Sequence, residues 1–188
     1  MKDSNPQLMY RSRIFEVYEE DVSMPDGRVV RQSRIEHKPT IAVVPVDPAG
    51  RIILIRQYRS AVRQYLLEIP AGTLDKADES IEQCVQRELA EETGFKSGRL
   101  VKLYEGYLVP GYCDEYMHFY LALDLFEEKL PSDEDEFIET VFTTVEEALS
   151  MIRDGSIKDS KTALGILLAS GYLNGKQAIR QTESSWRK

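Results

Sequence analysis

The stretch AGTLDKADESIEQCVQRELAEETGF, residues 71–95, carries seven carboxylates in twenty-five positions, and its reading decides the fold. Ser80 and Gln83 form an S-x-x-Q capping box, in which the Ser80 hydroxyl accepts from the Gln83 N–H and the Gln83 side chain reaches back to Ser80. Gly94 stands where a left-handed residue closes a helix. The spacing predicts a helix from Ile81 to Thr93. Measured around its axis from Ile81, Cys84 falls at roughly 300°, Val85 at roughly 40° and Leu89 at roughly 80°, which makes one apolar stripe. Glu88 at roughly 340° and Glu92 at roughly 20° fall in the middle of that stripe, with Glu91 on its edge at roughly 280°. Glu82, Gln83, Gln86 and Ala90 are expected on the outer face.

Carboxylates on a solvated face need no explanation. Two on the apolar side, one turn apart, repel each other and lose hydration unless a cation compensates. A salt bridge from Arg87 is the simple alternative, but at roughly 240° Arg87 is expected to be poorly placed for both. A hard divalent ion fits better, because Mg²⁺ takes oxygen ligands, keeps waters and is often shared with substrate phosphates.

The chain around this helix has 188 residues, 42% hydrophobic and 30% charged, enough for one well-packed domain with room for a small subdomain. Its net charge of −8, without a basic block, argues against nucleic acid as a partner. Cys84 and Cys113 occur in neither a C-x-x-C motif nor a Cys/His cluster, so the expectation is a reduced cytoplasmic protein without zinc. The N-terminal MKDSNPQLMYRSRIF is too polar for a signal peptide, and the longest apolar stretch, ALGILLASGYL, is too short to span a bilayer.

Residues 10–37 read as a hairpin around Pro25-Asp26-Gly27, and TIAVVPVD with RIILIRQYR as a second one around Asp47-Pro48-Ala49-Gly50. YLLEIPAG reads as a short strand leading into the acidic helix. RLVKLYEGYLV, YMHFYLALDL and FIETVFTT read as further strands, with helices at about 145–154 and 161–173. The fold class is α/β, a mixed sheet flanked by helices. A small N-terminal antiparallel hairpin subdomain, residues 1–38, is expected to precede a main domain of residues 39–188.

Gly72, Glu79, Arg87, Glu88, Leu89, Glu91, Glu92, Gly94 and Phe95 resemble the Nudix box, G-x₅-E-x₇-R-E-U-x-E-E-x-G-U with U a bulky apolar residue, which forms a loop–helix–loop. One departure stands out: six residues, not five, separate Gly72 from Glu79. The extra residue reads as a loop insertion before Ser80 and leaves open which acidic group orients Arg87. Pro110, fifteen residues past Phe95, resembles the ADP-ribose pyrophosphatase branch of that family, as do Gly111, Asp114, Glu115, the IRQYR…LEIPAG entry and the acidic loop DEDEF. The fold implied is the Nudix α/β/α sandwich.

The resemblance implies Mg²⁺- or Mn²⁺-dependent hydrolysis of a nucleoside diphosphate sugar, most simply ADP-ribose to AMP and ribose 5-phosphate. It implies Glu88, Glu92, the Ala71 carbonyl and Glu136 as metal ligands, Glu134 as catalytic base, and Arg59, Glu68, Gly111 and Glu115 as substrate-binding; a two-residue slip in placing the acidic loop would exchange the roles of Glu134 and Glu136. Gly72, Glu79, Arg87, Glu91 and Gly94 would be structural members of the box. It also implies a homodimer whose N-terminal hairpin packs against a second copy. A guanidinium suits Arg59 to phosphates through its bidentate fork. Burial of Glu68 with a backbone partner is the alternative to a substrate contact. Arg56 reads as a surface residue, and Asp133 and Asp135 as solvated loop charges. Tyr10, Tyr58, Tyr65 and Tyr112 are candidates for stacking on a base, with ordinary packing as the alternative. His37 and His118 receive no role. Two further readings stay open: GDP-mannose or another sugar nucleotide as substrate, and a non-catalytic module that senses such a nucleotide.

Overall fold

A computed structural model describes residues 5–128, 130 and 138–185, with side chains as far as residue 175. Along it run β1 (Gln7–Arg11), β2 (Phe15–Ser23), β3 (Val29–His37), β4 (Thr40–Pro45), β5 (Arg51–Arg59), β6 (Gln64–Glu68) and β7 (Ala71–Thr73). Then come α1 (Ile81–Thr93), β8 (Phe95–Tyr107), β9 (Tyr116–Glu127), β10 (Ile138–Thr144), α2 (Val145–Arg153) and α3 (Ser160–Ser185). Three sheets result, in strand orders β1-β2-β3, β10-β5-β6 and β7-β4-β9-β8. The first two are antiparallel, and the third is mixed because β4 runs parallel to β9.

β4, TIAVVP, is buried at every position, the pattern of a strand covered on both faces. On one face Ala42 and Val44 pack with Phe119, Leu121, Ile166 and Ala169, joining β9 to α3. On the other, Ile41 and Val43 pack with Tyr120, Cys84, Val85 and Leu89, joining β9 to α1. Fully burying one such Ile, Leu or Phe contributes about 1.5–3 kcal/mol. Gly165 is required where α3 comes closest to the sheets, since a Cβ there would lie 2.6 Å from Ile69 Cδ1.

The structure departs from the expected strand pairing in three places. The N-terminal hairpin forms around its turn, with the Gly27 N–H donating to Met24 O and Gly27 at φ 84°, but β1 adds a third strand to it. The second expected hairpin stops after one bridge, Val46 to Ile52. Its turn closes, with Gly50 at φ 79° and its N–H donating to Asp47 O. Pro45, however, has no N–H to extend the ladder, so β4 takes β7 and β9 as neighbours while β5 takes β6 and β10. The single strand expected over YLLEIPAG is broken at Ile69-Pro70 into β6 and β7, which belong to different sheets.

Candidate active site

α1 has the ends its sequence predicts. Ser80 Oγ accepts from the Gln83 N–H at 3.2 Å, Gln83 Oε1 accepts from the Ser80 N–H at 2.8 Å, and Gly94 sits at φ 80° with its N–H on Ala90 O. Cys84, Val85 and Leu89 are fully buried, and Glu92 is only 6% exposed. Two expectations for the outer face fail. Ala90 is completely buried, because α1 lies between the β4–β9 sheet and the β5–β10 sheet. Gln86 is partly buried and clamps β8, donating to Ser97 O at 2.7 Å and accepting from the Ser97 N–H at 2.9 Å.

The two central carboxylates meet the main chain at Ala71–Gly72. Glu92 Oε2 accepts from the Ala71 N–H at 3.0 Å. The Glu88 carboxyl lies over Gly72 so closely that a Cβ there would stand 2.0 Å from its Cδ and Oε1. Glycine at 72 therefore makes space for a carboxylate, and the first glycine of the motif is explained by contact.

Arg87, expected to be poorly placed for both central glutamates, reaches one of them, Glu88. Its Nη1 donates to Glu88 Oε1 at 2.6 Å and to Glu91 Oε2 at 3.0 Å, since a long side chain bends well away from its Cα direction. The other edge of the guanidinium donates to both oxygens of Glu79, at 2.8 and 2.9 Å. Glu79 is thus the acid that orients Arg87. The extra residue before the helix is absorbed at Asp78, which adopts the left-handed φ of 64°, a conformation that Asp tolerates better than most side chains. These bonds raise the Arg87 pKa, led by that from Glu79 and against the effect of burial, and the Arg87 hydrogen bond holds Glu79 below the usual carboxylate range. Burial pushes the Cys84 thiol up to about 12, so it packs as a small apolar group.

Beside this pair opens a cleft of roughly 320 Å³. Arg59, Ala71, Gly72 and Glu115 line it together, and the Thr40 hydroxyl donates to Glu115 at 3.0 Å. Glu68 is buried behind Arg59, and its partners are side chains, not the backbone partner weighed from the sequence: Arg59 and Lys161. Burial alone would raise the Glu68 carboxyl, but the Arg59 hydrogen bonds and the charge and hydrogen bond of Lys161 outweigh it and leave it lowered. Gly111 lies in the exposed turn after Val109 and does not line the cleft. Glu134 and Glu136, with Asp133 and Asp135, lie outside the described residues.

Lys161, Asp159 and Thr40 line the cleft without having been singled out in the sequence, and so does His37, to which the sequence assigned no role. A signal existed for the first two. Asp159-Ser160-Lys161-Thr162 is a helix start, with Asp159 Oδ2 accepting from the Thr162 N–H at 2.9 Å, and a lysine in such a first turn is poorly placed for the helix dipole. His37 is held by its N–H donating to Asp114 Oδ1 at 2.8 Å. His118 is buried on the opposite face of β9 with Nδ1 2.8 Å from Glu105 Oε2. Tyr10, Tyr58, Tyr65 and Tyr112 are all exposed and none lines the cleft; the Tyr58 and Tyr65 rings pack edge to face at 5.3 Å and the Tyr10 ring lies 6.2 Å from that of Phe15, as the packing alternative expects. Arg56 is a surface residue, as expected, lying over the Tyr65 ring.

A glutamate-bearing helix seated against a short glycine-containing strand, between two sheets and beside an arginine-lined cleft, defines a pyrophosphohydrolase-type site. The chain belongs to the Nudix family: the NUDIX domain profile matches residues 36–163. It is 37% identical over 176 residues to an ADP-ribose pyrophosphatase of Bacillus subtilis (strain 168), covering 93% of this chain and 92% of that one. It is 40% identical over 137 residues to a GDP-mannose pyrophosphatase of Yersinia enterocolitica, covering 68% of this chain and 70% of that one. A solved structure described as an ADP compounds hydrolase superposes with a TM-score of 0.83 at 26% identity, over 94% of this chain and 97% of that one.

Proposed function

We propose that this Nudix enzyme hydrolyses the pyrophosphate bond of a nucleoside diphosphate sugar, with ADP-ribose cleaved to AMP and ribose 5-phosphate as its main reaction. The observation that carries the reading is the convergence of Glu88 and Glu92 on Ala71–Gly72 at the edge of the Arg59 cleft. Among the described residues no group of three His, Cys, Asp or Glu side chains is placed to hold a metal ion by itself. What favours an ion is the donor type, which at Glu88, Glu92 and the Ala71 carbonyl is oxygen alone. That suits a hard divalent cation that keeps several waters, Mg²⁺ or Mn²⁺, held by Glu88, Glu92 and the Ala71 carbonyl, with Glu136 proposed as a further ligand. When bound, such an ion shields phosphate charge, acidifies water and stabilises the leaving phosphate.

The chain's own residues would do the rest. Arg59 meets the phosphates with the part of its guanidinium not bonded to Glu68. Glu115 and Gly111 belong to the loop over the sugar or base side. Glu134 is proposed as the general base that takes a proton from the attacking water; the water oxygen bonds to phosphorus while the bridging P–O bond breaks and its electrons leave with the second phosphate. Glu79, Arg87 and Glu91 hold Glu88 in place and touch no substrate.

GDP-mannose is the second reading, supported by the GDP-mannose pyrophosphatase relative. A purely sensing module is disfavoured, because nothing in sensing requires two carboxylates to be forced together. We also propose a reduced, cytoplasmic setting, supported by two unpaired cysteines; among the described residues no helix is long and apolar enough to cross a membrane. Incubation with Mg²⁺ and a panel of sugar nucleotides, followed by assay of released phosphomonoester, tests the reading. ADP-ribose should show the highest kcat/KM; no release from any member of the panel would overturn it.

A further inference from the structure

We propose that Lys161 is a positioning residue for this reaction: it balances the buried Glu68 carboxylate so that Glu68 can hold the Arg59 fork against the cleft. The proposal rests on the reading that Arg59 meets the substrate's phosphates.

Glu68 is 1% exposed, and both of its oxygens are occupied. Oε1 accepts from Arg59 Nε at 2.7 Å, and Oε2 from Arg59 Nη2 at 2.6 Å and from Lys161 Nζ. Arg59 thereby commits one edge to Glu68, and among the described residues its Nη1 has no protein acceptor. The Lys161 ammonium also donates to Asp159 Oδ2 at 3.0 Å. Asp159 is itself fixed by the hydroxyl of Thr162 at 2.5 Å, and Thr162 Oγ1 accepts from the Ile69 N–H at 2.9 Å. The start of α3 is thus fastened to the residue that follows Glu68.

Charge decides why a lysine stands there. Arg59 on β5 and Lys161 on α3 face Glu68 on β6 and Asp159 before α3, two cations against two anions, and Glu92 on α1 adds its negative field at Arg59. Without Lys161 the cleft floor carries excess negative charge under an anionic substrate. Burial then pushes Glu68 toward its protonated form, with one fewer cation opposing it. A protonated Glu68 holds Arg59 less firmly. The loss should therefore grow as pH falls, because Lys161 is one of the two groups that hold the wild-type carboxylate below its ordinary range and its removal leaves Arg59 alone to oppose burial.

The test is steady-state hydrolysis of ADP-ribose with Mg²⁺ between pH 6 and pH 8 by wild type, Lys161→Met, Lys161→Arg, Glu68→Gln, Glu68→Gln/Lys161→Met and Arg59→Met. Lys161→Met should raise KM by about 10–100-fold with a much smaller change in kcat, the penalty deepening toward pH 6. Lys161→Arg should restore most of it. On the Glu68→Gln background the second change should cost little further, because the carboxylate that holds Arg59 no longer needs balancing and Asp159 keeps its bonds from Thr162, and this comparison holds even if Lys161→Met alone folds poorly. A pH-independent penalty that adds in full to that of Glu68→Gln would overturn the proposal, as would wild-type KM in Lys161→Met while Arg59→Met is impaired. Wild-type KM in Arg59→Met would instead overturn the underlying reading of Arg59, and the proposal with it.

Discussion

Gly72 shows how a single residue without a side chain can set the chemistry of a site. Its backbone lies outside the left-handed region, so alanine would meet no conformational strain there. The obstacle is the Glu88 carboxyl, 2.0 Å from where a Cβ would stand. Gly72→Ala should therefore fold, displace Glu88 by an ångström or more and lower kcat by on the order of 10²-fold, the scale expected for a misplacement of that size. Steady-state kinetics beside a thermal melt check it: wild-type kcat, or collapse of the fold, would contradict the steric account. The motif made Gly72 and Glu88 legible as a pair, but not why they go together. Arg87 was harder to read. Helical angles place its Cα direction away from Glu88, while its long side chain bends back to grip Glu79, Glu88 and Glu91 at once. Lys161 was missed for a related reason: the helix start at residues 159–162 marks it locally, but the buried carboxylate it meets, Glu68, is 93 residues away and no local pattern announces that pairing.

α1 is the element whose limits were most legible, because capping is a local affair of Ser80, Gln83 and Gly94. Its faces were less so. Periodicity separates an apolar stripe from the rest, yet α1 is covered by a second sheet as well, which buries Ala90 and recruits Gln86. Strand neighbours were the least legible feature: turn residues fixed the bend at Asp47–Gly50 but not whether β4 and β5 would stay paired beyond it. The Gln86 clamp carries a prediction at this scale. It satisfies both backbone groups of Ser97, and Gln86→Ala strands them in a partly buried place at about 1–3 kcal/mol. A protein of this size should lose several degrees of Tm, on the order of 2–4 °C per kcal/mol, with KM unchanged. An unaltered Tm would mean that water replaces the clamp without loss.

For the whole molecule, the sheet β1-β2-β3 stands apart in its exposure. Leu8, Met9, Tyr10, Ile14 and Val29 are exposed, Val29 by 63%, a set of apolar side chains that a small sheet rarely leaves to water unless something covers it. The boundary proposed between residues 38 and 39 falls where β3 ends and the buried β4 begins. We propose that a second copy covers the sheet in a two-fold dimer. Its Ile35 exchanges main-chain bonds with Tyr112 and Asp114 of the loop that carries Glu115, so pairing would steady the cleft. Light scattering at micromolar concentration should report two chains per particle; fully active monomers would contradict it. The central claim, that Glu88 and Glu92 make this a divalent-metal pyrophosphohydrolase, is tested most directly by ADP-ribose turnover against Mg²⁺ concentration for wild type, Glu88→Gln and Glu92→Gln. The account predicts no turnover in excess chelator, saturable activation of the wild type, and kcat lower by several orders of magnitude in both variants while they remain folded. Full wild-type turnover in chelator, or wild-type rates in both variants, would contradict it.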